Sequence, residues 1–219
     1  MKNEAWTIAE TLDRHLTEKT EIVVFGVAAL LLDDQFSEKL AGRKTNDIDI
    51  IVPAAREMAV DSDRGFWEAI EGANRELAPL GYYITHIFPE REVVLTCEWQ
   101  RHMVSLDCGF EKLIVRRPRL LDLIVSKMGR GDARDLEDVR NMLRLHAAAA
   151  GRAITPAEIE DAARLCHVPE AYREIFPTAR DNIVGVAREL APSLAQRQGE
   201  EGPQLGQSPW EGPSQGMRM

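Results

Sequence analysis

At 219 residues, 44% hydrophobic and 29% charged, the chain has the make-up of a globular protein with room for one substantial domain, or one domain and a small helical lobe. The net charge of −9 argues against unspecific adhesion to DNA or acidic membrane, while leaving a local basic patch open. No apolar run reaches a membrane span, MKNEAWTIAE is not a secretory signal, and Cys97, Cys108 and Cys166 lack ligand spacing; the expectation is a cytoplasmic protein without a thiolate zinc site.

Residues 4–19 space Trp6, Ile8, Ala9, Leu12 and Leu16 at helical intervals, which predicts an amphipathic opening helix. EIVVF at 21–25 reads as a short buried strand, followed at once by Gly26 and by VAALLLDDQF, which is helical and apolar. A strand–glycine–helix junction offers unpaired N–H groups and a positive dipole end to phosphate, and glycine permits close approach. The same junction also reads as a plain tight turn.

A polar connection over 37–46 carries Arg43 and Lys44 into a second strand at about 47–52, ended by Pro53. Successive strand side chains alternate between faces, so Asp47 and Asp49 share one face while Ile48 and Ile50 share the other. Asp is depleted in strands, and two on one face suit a divalent cation, which takes hard oxygen ligands. A solvated sheet edge is the plainer alternative.

Phe66, Trp67, Ile70, Ala73, Leu77 and Leu80 predict a helix over 64–80, with Gly81 as its stop. Three extended runs at 82–88, 93–99 and 102–110 then predict an antiparallel meander. The last carries Asp107, which reads either as a third carboxylate beside the Asp47/Asp49 strand or as a strand-end acid near Gly109.

Beyond Pro118 the chain turns helical. Asp132 is a good N-cap with Asp135 three residues on, and Asp135, Glu137 and Asp138 read as first-turn acids. Leu136, Val139, Leu143 and His146 form the expected buried stripe, and Thr155-Pro156-Ala157-Glu158 opens a further helix. The expected organisation is a core with its N-terminal helix over 1–115, a helical region over 116–192, and a flexible Gln/Gly/Pro/Ser-rich tail over 193–219.

The order of these parts resembles the nucleotidyltransferase fold of the DNA polymerase β type, and more narrowly the AbiEii-like group, whose members are often toxins of bacterial toxin–antitoxin pairs. The likeness rests on GVAALLL, on RKTNDIDIIVP (Arg43, Thr45, Asp47, Asp49) and on SKMGRGDARDLEDV (Lys127, Arg134, Asp135, Asp138), and spans about residues 21–145. It implies an α/β (α+β) fold, a mixed sheet flanked by helices, then a C-terminal helical region. Asp47 and Asp49 would then hold Mg²⁺ (or Mn²⁺) on the triphosphate of an NTP, with Asp107 completing the metal site and helping to deprotonate the acceptor hydroxyl. Backbone N–H groups at Gly26 and Val27 would cradle phosphate, Lys127 would neutralise developing charge, and Arg43 and Thr45 would hold the strand entrance and touch phosphate.

The implied reaction moves a nucleotidyl group from an NTP to RNA, tRNA included, or to a protein or small-molecule acceptor, with an antitoxin protein as inhibitor. Basic residues between Lys112 and Arg152 fit a phosphate-contacting face. The family usually has Gly-Ser or Gly-Gly where this chain has Gly26-Val27, and the loop after Lys127 is short, which leaves the match of Arg130 open. A catalytically degenerate member that binds a nucleotide or partner is the alternative that Val27 favours.

Overall fold

The computed structural model describes residues 3–40 and 42–200, with side chains to 194. In chain order its helices and strands are α1 (Glu4–His15), β1 (Thr20–Phe25), α2 (Gly26–Leu31), α3 (Asp34–Ser37), β2 (Asp47–Val52), α4 (Glu57–Ser62), α5 (Arg64–Leu77) and β3 (Tyr83–Pro89). They continue with β4 (Leu95–Thr96), β5 (Val104–Leu106), β6 (Leu113–Arg117), α6 (Leu120–Ser126), α7 (Ala133–Ala150), α8 (Pro156–Arg164), β7 (Cys166–His167) and α9 (Phe176–Glu200).

The result is the mixed sheet with flanking helices and a C-terminal helical region that the resemblance implied. Five strands lie in the order β3-β2-β1-β6-β5. β1 runs antiparallel to β2 and parallel to β6; β3 is parallel to β2, and β5 antiparallel to β6. Alternation along β2 sends Ile48 and Ile50 into the main core with Ile8 and Leu12 of α1. Ile51 faces the other way, into a smaller cluster with Val23, Val93, Leu95 and Trp99. Asp47 and Asp49 have the parity of Ile51, so they open onto that second face.

The main core is continuous from α1 and the sheet into Leu123, Val139, Leu143, Ile159 and Ile183 of the later helices. Local caps set those helices where expected: Asp132 accepts from the Asp135 N–H, and Thr155 and Glu158 form a capping box with Pro156 in the first turn. Gly81 ends the α5 segment in the left-handed region, φ +73°.

Two expectations fail. The meander does not form: β3 joins β2 at one edge, β5 joins β6 at the other, and β4 leaves the sheet to pair with β7. Turn signals separate strands but do not choose their neighbours, and here burial on β2 outcompeted the hairpin. At the C-terminus, α9 continues through Pro192 to Glu200, past the expected start of the tail; residues 201–219 of that expectation lie outside the described residues.

One side chain pins α1 to the sheet. Asp13 accepts backbone N–H groups of Glu111 (3.2 Å), Lys112 (2.7 Å) and Leu113 (2.7 Å). Burial pushes its pKa up, but those three donors outweigh it and hold the carboxyl below the usual 3.8. A depressed folded-state pKa adds stability above the unfolded value that is lost as pH falls through the folded one. Asp13→Ala should therefore cost about 2–3 kcal/mol in urea melts at pH 7, by orphaning three amides, that of buried Leu113 among them, and the gap to wild type should narrow as pH falls through the lowered folded-state pKa.

Candidate active site

The site grows from two adjacent strands. β1 ends at Phe25, and Gly26 takes the turn into α2 at φ +69°, a conformation that L side chains rarely adopt. Phe25 pairs with Asp49 across the antiparallel ladder, which brings the Gly26 turn against that carboxylate. A Cβ on Gly26 would stand 3.9 Å from Asp49 Oδ2, so the backbone angle rather than lack of space asks for glycine there. Val27 packs its side chain against the main core. Phe25, the N-cap, gives the first turn of α2 no side-chain hydrogen bond.

Each carboxylate has one oxygen engaged by a neighbour. Buried Thr45 places its hydroxyl 3.0 Å from Asp47 Oδ1 and 2.9 Å from the Asp47 carbonyl, fixing the strand entrance. Asp49 Oδ1 accepts from His86 Nδ1 at 3.1 Å and lies 3.5 Å from the Thr85 hydroxyl. A register shift between Ile48 and Asp49 makes this possible: Ile48 pairs with Ile84 but Asp49 with His86. The bulge thus turns two consecutive β3 side chains, Thr85 and His86, onto the Asp49 face. Burial, reinforced by the charge of Asp47, raises the Asp49 pKa above 3.8 against the opposing hydrogen bonds. Two like charges on one half-buried face are a site that favours a cation.

A second cluster joins the remaining motif residues. Lys127 Nζ lies 2.8 Å from Asp135 Oδ1 and 3.0 Å from Asp138 Oδ2. Arg130 grips Asp135 through Nε and Nη2 at 2.8 and 3.0 Å, and Arg43, four residues before Asp47, pairs with Asp138. Asp135 and Asp138 are not exposed first-turn acids: their side chains are 2% and 6% exposed. Burial alone would raise Asp135; the bonds from Arg130 and Lys127 win and lower it. Arg43 Nε is buried without a hydrogen-bond partner among the described residues. RKTNDID and KMGRGDARDLED, about 90 residues apart in sequence, thus meet through Arg43–Asp138–Lys127.

A family model described as a nucleotidyltransferase of unknown function (DUF6036) matches residues 5–147. The chain belongs to this family. The match takes in Gly26, both β2 carboxylates, Lys127, Asp135 and Asp138, and leaves α8 and α9 outside. No curated protein and no solved structure matches the chain.

Within this nucleotidyltransferase-family chain, Asp107 is a correction. It follows β5, whose Leu106 is level with Val115 of β6 and so with Ile22 of β1, whereas Asp49 is level with Phe25. β1 and β6 stand between β2 and β5, so Asp107, one residue further along at the level of Glu21, is roughly 14 Å across the sheet and roughly 13 Å along it from Asp49. It is exposed near Asp33 and Asp34, where those charges add to burial in pushing the Cys108 thiol up to about 11. No group of three or more His, Cys, Asp or Glu among the described residues is arranged to hold a metal. Lys127 is engaged by Asp135 and Asp138, and among the described residues no ion pair joins it to Asp47 or Asp49.

The basic residues between Lys112 and Arg152 are largely engaged. Arg116 pairs with Glu21, Arg117 with Asp33, Arg119 with Asp122, and Arg152 with Glu158. Thr85 and His86, which the sequence reading passed over, take their place at Asp49 through strand pairing. The only sequence signal was a histidine inside an otherwise strand-like YYITHIF run. No helix among the described residues is long and apolar enough to cross a membrane.

Proposed function

We propose that this chain is a divalent-cation-dependent nucleotidyltransferase that moves a nucleotidyl group from an NTP to an RNA, tRNA included, or protein acceptor, as an AbiEii-like toxin whose partner is an antitoxin protein. The observation that carries the reading is the pair Asp47 and Asp49 on one strand face against the Gly26 turn. The donors fit Mg²⁺ or Mn²⁺, because such ions are commonly held by one or two carboxylates with substrate phosphates and water supplying the rest. When bound, the cation neutralises triphosphate charge and polarises the phosphorus under attack.

The chain's own residues then have distinct tasks. Asp47 and Asp49 offer the oxygens not held by Thr45 and His86, and the Gly26–Val27 backbone, which turns beside Asp49, would meet the phosphates. The acceptor hydroxyl oxygen bonds to the α-phosphorus as the bond to pyrophosphate breaks, and the hydroxyl proton passes to solvent water. Lys127, Asp138 and Arg43 act as positioning residues, fixing α7 to the approach of β2. Engagement of Lys127 and the distance of Asp107 favour a second reading, a member that binds nucleotide without transferring it.

Thermal melts with each NTP, with and without Mg²⁺, test binding. At about 100 times Kd a nucleotide should raise Tm by roughly 5–10 °C in wild type and not in the Asp47→Asn/Asp49→Asn double variant. Incubation with α-labelled NTPs, Mg²⁺ and total RNA or protein tests transfer. Label in one acceptor class supports the enzyme; a nucleotide-dependent Tm rise with no label in either supports the binding-only reading.

A further inference from the structure

We propose that the exposed face of the His86 imidazole is a stacking surface for a nucleobase, a reading that deepens the nucleotidyl-transfer assignment and rests on it. The bulge at Ile48/Asp49 turns His86 out of the core and beside the carboxylate assigned to the phosphate-bound cation. One face of its ring lies nearly parallel to Phe88, with centroids 5.1 Å apart and planes 11° from one another. Phe88 in turn meets Phe25 edge-on at 5.8 Å and 73°. The hydrogen bond from Nδ1 to Asp49 Oδ1 sets the ring's rotation.

The histidine is therefore an ordered ring backed by a phenyl group, yet its side chain is 58% exposed. β3 is the outer strand of the sheet, so nothing in the sheet lies beyond it. A ring held between Phe88 and Asp49 with more than half of its side chain in solvent loses little freedom on stacking, and every nucleobase offers it a π face. Capping of Asp49 alone would need the Nδ1–H but not the parallel seat on Phe88. The base belongs either to the incoming NTP or to a nucleic-acid acceptor, since both present the same chemistry to the ring.

Affinities of wild type, His86→Ala and His86→Phe separate these cases. The probes are the four NTPs with Mg²⁺, inorganic tripolyphosphate with Mg²⁺, and a short single-stranded oligoribonucleotide with a free 3′ hydroxyl. Loss of about tenfold or more in NTP affinity in His86→Ala, with tripolyphosphate binding unchanged and His86→Phe within about threefold of wild type, assigns the surface to the NTP base. The same pattern on the oligoribonucleotide assigns it to the acceptor. The proposal is overturned by His86→Ala binding every probe like wild type, or by His86→Phe binding as weakly as His86→Ala, which would leave His86 only a prop for Asp49. Wild type that binds neither NTP nor tripolyphosphate overturns the nucleotidyl-transfer reading instead, and the oligoribonucleotide then decides the stacking surface alone.

Discussion

Asp47→Asn together with Asp49→Asn should lower nucleotidyl transfer at least about a thousandfold while leaving a folded protein, because a cation clamp contributes several kcal/mol to the transition state and about 4 kcal/mol is a thousandfold in rate. The single change Asp49→Asn should also stabilise the apo protein, by about 0.5–2 kcal/mol at pH 7. The reason is electrostatic. Asp49 is held half-buried beside Asp47, and both burial and that neighbouring charge work against its ionised form. An amide keeps the oxygen that His86 and Thr85 approach, and removes the repulsion.

The sign fixes a pH dependence. A folded-state pKa raised above 3.8 gives a relative stability that is full below the unfolded pKa and lost as pH rises through the folded one. The advantage of Asp49→Asn should accordingly be complete at neutral pH and vanish near pH 3. Urea melts at the two pH values check it. A variant less stable than wild type at pH 7 would show that Asp49 serves as a structural acceptor rather than as a strained ligand.

The second large effect is on stability. Asp135→Ala should cost about 3–5 kcal/mol, because it strands the Lys127 ammonium, itself only 14% exposed, beside Asp138 alone and leaves Arg130 only its more exposed partner Asp132. Arg130→Ala should cost less than about 1 kcal/mol, since that side chain is 64% exposed and solvent screens the pair. The Asp135 pKa is depressed by Arg130 and Lys127 against its burial, so its contribution is present above about pH 4 and fades as pH falls through the folded value. Equal losses in the two variants, read as Tm or urea midpoint, would refute the buried-cluster account. The effect should also reach the strand entrance, because Asp138 is shared between Lys127 and Arg43.

How much of this was legible follows from the range over which each feature is encoded. The shared face of Asp47 and Asp49 needs only the two-residue period of a strand, and the structure keeps it because Ile48 and Ile50 are claimed by the core on the other side. The caps at Asp132 and Thr155 are equally local, since each bonds to an amide three residues away. Strand neighbours are not local. Asp107 carries the same strand-acid signature as Asp49, but pairing of Leu106 with Val115 puts it on the far edge. Asp135 and Asp138 read as helix-dipole acids until packing buries them against Lys127, Arg130 and Arg43.

By itself, then, the sequence determined the strand–glycine–helix turn, the paired carboxylates and the helix caps, because adjacent residues impose those through backbone sterics and short-range hydrogen bonds. Tertiary structure alone decided that β3 lies beside β2 with a bulge, bringing His86 rather than Asp107 to Asp49. Side-by-side order in a sheet is chosen by burial across the whole core, and no run of neighbouring residues carries that information.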